Sequence, residues 1–115
     1  MDPLAATLKR YIEDHGESPI QPGELLAALG VGERRLRRLF AAVHGTSPSR
    51  FLTRHRLELA RRRLAGGEVD RVTDAGMSCG FYDLGRFASQ YRRLFNELPS
   101  ETLRRHREPQ PAPGD

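Results

Sequence analysis

This chain of 115 residues has a single cysteine, no tryptophan and no long apolar run. The single cysteine, Cys79, excludes an internal disulfide and argues against a cysteine-based zinc site. No apolar run is long enough to span a bilayer, and no signal-peptide core is present. We therefore expect a cytoplasmic protein without a membrane partner, the size of one ordinary domain or two very small units with a modest core.

Positive charge is concentrated in the middle of the sequence. Between residues 33 and 63, ten arginines stand against Glu33 and Glu58, which gives a net charge of +8, whereas residues 1–30 carry −3. Basic charge gathered in one part of a domain is typical of a protein that binds a polyanion. The alternative is a solvated, arginine-rich surface that reflects the base composition of the genome.

One pattern occurs twice, about fifty residues apart. A short helix is followed by a glycine and an apolar residue, Gly30-Val31 and then Gly80-Phe81, and by a second helix. In the first copy an apolar stripe at helical spacing comprises Leu36, Leu39, Phe40 and Val43. Four arginines fall off this stripe, as expected for the second helix of a helix-turn-helix that enters a DNA major groove.

Helix signals along the chain predict an all-α fold with seven helices and no strand. The expected ranges are 4–15, 22–29, 33–43, 48–65, 70–78, 84–95 and 100–107, with Ser47 and Asp83 as N-caps. We predict a first helix-turn-helix subdomain at 1–46, a linker helix at 47–66, a second subdomain at 67–107 and a disordered, proline-rich tail at 108–115.

The sixth helix is expected to contribute core residues to the second subdomain. Its expected inward residues are Leu84, Phe87, Tyr91, Leu94 and Phe95. The preceding helix contains Gly76, which costs up to about 1 kcal/mol relative to alanine in a helix. The second subdomain is therefore expected to be the less rigid one.

Several spaced motifs resemble the DNA-binding domain of the AraC/XylS transcriptional regulators. They lie at 45–51, 56–60, 80–87, 91–95, 98–100 and 103–105, and the resemblance covers about residues 4–107. It implies that the long helix joins two helix-turn-helix units inserted into successive major grooves of double-stranded DNA, that RNA polymerase is a partner, and that the regulator is an activator. The sequence departs from the family pattern at two places. It has Ala75-Gly76 where the family usually has a bulky aliphatic residue followed by alanine, and Asn96 where the family usually has glycine.

The family motif places candidate base-reading residues on both second helices. They are Arg34, Arg37 and Arg38 in the first unit, and Arg86, Ser89 and Gln90 in the second. Arginine pairs well with guanine because its planar fork matches two acceptors. Gly85 and Ala88 provide no such donors in the second unit, so the first unit is expected to supply most of the direct readout.

Contacts to the DNA backbone are expected beside helix N-termini, where free N–H groups favour anions. The candidates are Arg35, Thr46, Ser47, Ser49, Arg50 and Ser100. Ser47 and Ser100 have an equal alternative role as helix caps. Arg56 matches a family position that is usually structural, and Arg61–Arg63 are expected to form a solvated surface rather than a groove contact.

No motif indicates catalysis, a metal or a cofactor. The four histidines, His15, His44, His55 and His106, fall on different elements, and Cys79 is expected to be a small core residue. We expect a DNA-binding domain that is not an enzyme and is monomeric in isolation, either part of a longer regulator or a free-standing member. The alternatives are an RNA binder and a helical protein-interaction module that contacts the transcription machinery without reading DNA; clustered arginines disfavour the latter.

Overall fold

Seven helices account for the regular structure of the part of the chain that the computed structural model describes, residues 2–107. They are α1 (Pro3–Asp14), α2 (Pro22–Leu29), α3 (Glu33–His44), α4 (Pro48–Ala65), α5 (Val72–Ser78), α6 (Leu84–Phe95) and α7 (Pro99–Arg107). No strand occurs within these residues, so the all-α prediction and all seven helices are confirmed. The predicted disordered tail lies outside the described residues.

Helix ends follow the capping residues in the sequence. The Asp2 carboxylate accepts a hydrogen bond of 3.0 Å from the Leu4 backbone N–H, and α1 consequently starts one residue earlier than expected. Gly45 ends α3 in the left-handed conformation, with φ of 68°. Asn96 takes the same role after α6 with φ of 60°, which asparagine tolerates better than other residues with a side chain. The fifth helix begins at Val72, two residues later than predicted.

The chain divides into two compact units, Met1–Leu59 and Ala60–Asp115, with the boundary inside α4. The first unit has its own core, formed by Leu8, Ile20, Leu25, Leu29, Leu36, Leu39, Phe40 and Leu52. Arg56 on α4 donates hydrogen bonds of 2.9 Å to the Ile20 carbonyl and 3.0 Å to the Gln21 side-chain oxygen. This guanidinium fastens α4 to the start of α2, which confirms the structural role expected for Arg56.

A carboxylate joins α1 and α2 within the first unit. Glu24 accepts hydrogen bonds of 2.5 Å from the Tyr11 hydroxyl and 2.6 Å from the Gln21 backbone N–H, which completes a capping box. Burial alone would raise the pKa of Glu24, but these two hydrogen bonds lower it, and the pKa lies below its ordinary value. The ionised form of Glu24 therefore stabilises the fold.

A polar chain joins α6 and α7 in the second unit. The hydroxyls of Tyr91 and Thr102 are 2.7 Å apart and buried, and Thr102 donates at 2.5 Å to the Glu97 carboxylate. Arg105 donates to the same Glu97 oxygen at 2.8 Å. The hydrogen bonds from Arg105 and Thr102 hold the pKa of Glu97 below its ordinary value.

Arg63 is part of the fold and does not belong to a solvated surface. Its guanidinium donates to the side-chain oxygen of Ser78 at 2.9 Å and lies 3.7 Å from the sulfur of Cys79. The guanidinium of Arg61 lies over the ring of Phe95, 4.8 Å from its centroid. The expectation for Arg61–Arg63 was therefore wrong for Arg63, because contacts from one helix to the next are not visible in local charge patterning.

Gly76 has a packing role that its helix propensity does not indicate. It is buried, and a Cβ atom at this position would stand 3.0 Å from the Phe87 ring and 3.1 Å from a Leu84 methyl group. The absence of a side chain thus lets α6 pack closely on α5. The propensity cost that suggested a less rigid unit is opposed by this close packing.

Acid should destabilise both units through Glu24 and Glu97. A folded-state pKa below the unfolded value of about 4.3 gives stabilisation that is present above that pH and lost as pH falls through the folded pKa. Urea unfolding over a pH series should therefore show a weaker acid dependence for Glu97→Gln. The exposed Glu101→Gln is the matched control, and equal slopes for wild type and Glu97→Gln would contradict the assignment.

Candidate nucleic-acid interface

The second helix of the first unit presents one buried and one basic surface. Leu36, Leu39 and Phe40 are buried in the core. The remaining surface of α3, its outer side and both flanks, exposes all of its arginines, Arg34, Arg35, Arg37 and Arg38. Because Gly30 ends α2 with φ of 66° and α3 begins two residues after Val31, the two helices are joined by the short turn of a helix-turn-helix.

Arg37 lies beside two of the candidate backbone contacts. It lines a shallow cleft of about 190 Å³ together with Ser47 and Ser49, at the start of α4. The other lining residues are Pro22, Leu26, Glu33, Leu36 and Pro48. The structure therefore brings a predicted base-reading residue and two predicted phosphate contacts to the same side of α3.

Arg35 lies on the other flank of α3. Its guanidinium is 3.7 Å from the carboxylate of Asp2, and both side chains are largely exposed. Arg35 and Arg38 line a groove of about 390 Å³ between α3 and the beginning of α1. An exposed pair of this kind contributes little to stability, so Arg35 can exchange Asp2 for another anion at small cost.

The turn between α3 and α4 holds the remaining candidates of the first unit. Ser47 accepts a hydrogen bond of 3.2 Å from the Arg50 backbone N–H, which confirms its capping role. Thr46 and Arg50 line a cleft of about 480 Å³ that also includes His44, Phe51, Arg54, His55 and Glu58. Arg54 is paired with Glu58 at 3.1 Å within α4. Arg50 is exposed.

In the second unit α6 occupies the position of the second helix. Asp83 caps it by accepting a hydrogen bond of 3.0 Å from the Arg86 N–H, as predicted. Phe87 and Tyr91 are buried, while Arg86 and Ser89 are exposed and Gln90 is half-buried. Ser100 is exposed in the first turn of α7.

Sequence reasoning missed two arginines on α6. Arg92 and Arg93 are both exposed. Arg93 follows Arg86 by seven residues, so the two lie on the same side of the helix, two turns apart. The seven-residue spacing of these arginines is present in the sequence, but the family motif indicates base-reading positions only in the first half of the helix. The exposed side of α6 is therefore more basic than the expected readers suggested.

Leu84 points inward as expected but is only partly covered. It is 37% exposed, and the neighbouring Tyr82 is 83% exposed. Leu84 still packs inward with one methyl group, which would stand 3.1 Å from a Cβ atom on Gly76 of α5. Helical periodicity assigned Leu84 to the core because it lies on the same side as Tyr91, but the end of a helix is less covered than its middle.

The cysteine and two of the histidines, which are residue types that often act in catalysis, are buried or packed against aromatic rings. Cys79 is fully buried, and burial raises the pKa of its thiol. The ring of His44 packs at a tilt of 35° on Phe51 with centroids 4.3 Å apart, and His15 stacks on Tyr11 at 3.9 Å. Between residues 2 and 107, no set of histidine, cysteine and acidic residues is arranged to hold a metal ion. None of the helices described there combines the length and apolar character needed to cross a membrane.

Two helix-turn-helix units with exposed basic second helices define a class of DNA-binding protein. A family description of a helix-turn-helix domain matches residues 25–105 of the chain. The chain belongs to the AraC/XylS family of transcription regulators, and it matches the family's DNA-binding domain.

Curated relatives share part of their length with this chain. The XylDLEGF operon transcriptional activator 3 of Pseudomonas putida is 37% identical over 100 residues, which cover 85% of this chain and 30% of the relative. The probable thc operon regulatory protein of Rhodococcus erythropolis is 35% identical over 96 residues, 82% of this chain and 29% of the relative. The chain thus spans less than a third of either relative.

Two solved structures share the fold over most of their length. A probable AraC family transcriptional regulator from Rhodopseudomonas palustris is 40% identical, with a TM-score of 0.75 over 90% of this chain and 97% of the other. A regulator from Chromobacterium violaceum, described as AraC-type, is 32% identical, with a TM-score of 0.71 over 92% of this chain and 91% of the other. These structures confirm the all-α fold.

Proposed function

We propose that this chain binds double-stranded DNA sequence-specifically as part of a bacterial transcription regulator, with α3 and α6 each entering a major groove. The observation that carries the proposal is α3, whose buried residues fix one side in the core while Arg34, Arg37 and Arg38 are exposed on the other. Bidentate arginine contacts to guanine are the commonest specific contacts in the major groove.

The proposed complex uses α4 as its linker. The 18 residues of this helix give a length of about 27 Å, comparable with the roughly 34 Å of one duplex turn. The two recognition helices would then enter successive major grooves on one side of the DNA. A single chain carries both helices, so we propose that the isolated domain binds as a monomer.

Phosphate contacts would fix the register of each unit on the duplex. For the first unit we propose Arg35, Thr46, Ser47, Ser49 and Arg50, which lie on both flanks of α3 and at the start of α4. The Ser47 oxygen already accepts the Arg50 N–H, which leaves its hydroxyl hydrogen to donate to a phosphate. Ser100 would serve the second unit, and Arg86, Ser89 and Gln90 would approach its bases.

The wider activity of the protein is proposed from its relatives. The relatives from Pseudomonas putida are named transcriptional activators. We propose by extension an activator that acts in the cytoplasm, contacts RNA polymerase, and has no catalytic activity. These properties concern the whole regulator.

The runner-up function is a protein-interaction module that does not read DNA. Four exposed arginines on one helix disfavour it, because the centres of protein interfaces are depleted of clustered charge. Measuring duplex affinity against salt concentration separates the two functions. A DNA-binding domain should lose affinity linearly on a log–log plot, with a slope set by the number of phosphate contacts.

Substitution of individual arginines should separate base reading from phosphate contact. On a duplex selected from random DNA, Arg37→Ala and Arg38→Ala should each lose about 1–3 kcal/mol of binding free energy and relax preference at one or two base pairs. Arg50→Ala should weaken cognate and random duplexes alike. Arg10, exposed on α1, provides the matched control. If the three interface variants lost equal affinity on both duplexes, the distinction between the roles would be wrong.

A further inference from the structure

One acidic side chain lies beside the arginines of α3. Asp2 lines the groove between α1 and α3 together with Arg35 and Arg38. Its Oδ2 atom is 3.7 Å from the Nη2 atom of Arg35. The other lining residues of this groove are apolar: Ala5, Leu39, Ala42 and Val43. A negative charge therefore stands within the positively charged surface that we propose to contact DNA phosphates.

The Asp2 carboxylate is held in this position by the fold. Its Oδ1 atom accepts a hydrogen bond of 3.0 Å from the Leu4 backbone N–H and so caps α1. The Oδ2 atom of the same carboxylate is the one that approaches Arg35. Because a capping side chain is fixed with respect to its helix, the negative charge stays beside α3 whether or not Arg35 is paired with it.

The Arg35 side chain is not fixed in return. The separation of 3.7 Å is longer than the roughly 2.7–2.9 Å of a charge-assisted hydrogen bond, so the two groups attract each other without a defined fork geometry. The side chains of Arg35 and Asp2 are 55% and 42% exposed, and pairs of this kind are easily broken. The contact therefore reduces the positive charge that Arg35 presents, and it does not orient the guanidinium.

We propose that Asp2 is an intramolecular competitor of DNA, which pairs with Arg35 in the free protein and is displaced when a phosphate takes its place. This inference rests on the proposed DNA-binding function and on Arg35 as a phosphate contact. Arg35 attracts a phosphate less strongly while the Asp2 carboxylate shares its charge. Asp2 thus sets the DNA affinity of the first unit below the value that its arginines alone would give.

The competition has a signature in the salt dependence of binding. Each phosphate contact releases a condensed counterion and adds about 0.9 to the slope of log affinity against log salt concentration. When Arg35 leaves Asp2 for a phosphate, the freed carboxylate attracts a cation from solution, which offsets that release. Removing the carboxylate should therefore make the slope steeper by up to about 0.9. A purely structural role of Asp2 would leave the slope unchanged.

The Asp2→Asn variant tests the proposal, because asparagine caps helices as well as aspartate does and lacks the charge. On a selected duplex, Asp2→Asn should bind about two- to five-fold more tightly than the wild type, the range expected for the loss of one exposed ion pair. The gain should be the same on random duplexes, since Arg35 is proposed to contact phosphate and not bases. The melting temperature should stay unchanged, since the cap is retained.

Glu13→Gln is the matched control. Glu13 is exposed on the same helix, eleven residues farther along and thus about 16 Å away, beyond the roughly 8 Å over which charges interact at physiological salt. The change in net charge is the same as in Asp2→Asn. At that salt concentration Glu13→Gln should leave the DNA affinity and the salt slope at their wild-type values.

A double-mutant cycle with Arg35→Gln separates competition for Arg35 from a general repulsion of DNA. Arg35→Gln alone should weaken binding to selected and random duplexes alike. In this background Asp2→Asn should lose most of its effect, because the guanidinium for which Asp2 competes is absent. A gain of the same size in both backgrounds would mean that Asp2 repels DNA without competing for Arg35, and the proposal would be overturned.

The remaining outcomes distinguish this inference from the function on which it rests. If Asp2→Asn binds duplex DNA with wild-type affinity, Asp2 does not compete with phosphate. If it binds more weakly, Asp2 positions Arg35 for DNA, which is the opposite role. The DNA-binding function stands in both cases. If neither the wild type nor Asp2→Asn has a salt-dependent duplex affinity, the function and the inference both fail.

Discussion

Scrambling the half-site that contacts the first unit is expected to abolish specific binding, whereas scrambling the second half-site should leave a measurable remainder. Arg34, Arg37 and Arg38 each provide a forked donor for guanine, and a good bidentate contact contributes about 1–3 kcal/mol of discrimination. Near the start of α6 a single arginine, Arg86, is available for the same purpose, together with Ser89 and the half-buried Gln90. The two units should therefore contribute unequally to sequence recognition.

Competition binding with the two scrambled duplexes measures this asymmetry. The remainder after scrambling the second half-site should keep a steep salt dependence, because phosphate contacts persist and Arg92 and Arg93 add charge to α6. A fully scrambled duplex is the control for non-specific binding. An equal loss for both half-sites, or a larger loss for the second, would show that the arginines of α3 do not dominate recognition.

Phe87→Ala should remove the second unit from the complex. Phe87 is fully buried, its ring lies 4.8 Å from Phe81 and 5.8 Å from Tyr91, and it packs against Gly76. Truncation of a buried phenylalanine costs about 3–5 kcal/mol, a large part of the stability of a small unit. The unfolded second unit should then leave protection over the first half-site alone.

Urea unfolding and footprinting of the Phe87→Ala variant check the two parts of this prediction. Met77→Ala serves as the control, because its exposed side chain on the adjacent helix contributes less packing. Retention of both protected half-sites by a variant that has lost the expected stability would mean that the second unit does not need its core to dock. An unchanged free energy of unfolding would contradict the packing described for Phe87.

The helices of this protein were predictable because its strongest signals are local. Gly30 and Gly45 end α2 and α3, Asp83 caps α6, and the apolar stripe of α3 is evident from residue spacing alone. The side of α3 that exposes its arginines follows from the same periodicity. Boundary errors arose where several neighbouring residues could begin a helix. The fifth helix, α5, was predicted from residue 70 and begins at Val72.

Contacts between elements were not predictable from these signals. The hydrogen bonds from Arg63 to Ser78 and the fit of Gly76 against Phe87 depend on how helices meet in three dimensions. The partial exposure of Leu84, the first residue of α6, depends on how much of that end the neighbouring elements cover, and helical periodicity does not predict this. The candidate site is therefore predictable as a set of exposed arginines, whereas the packing of α6 on α5 required the structure.

Hydroxyl-radical footprinting on a selected duplex is the most direct test of the claim that this chain binds DNA through two recognition helices. One chain per duplex should protect two segments about 10 base pairs apart on one side of the helix, without palindromic symmetry. Protection of a single major-groove segment, or a requirement for two chains per duplex, would contradict the account.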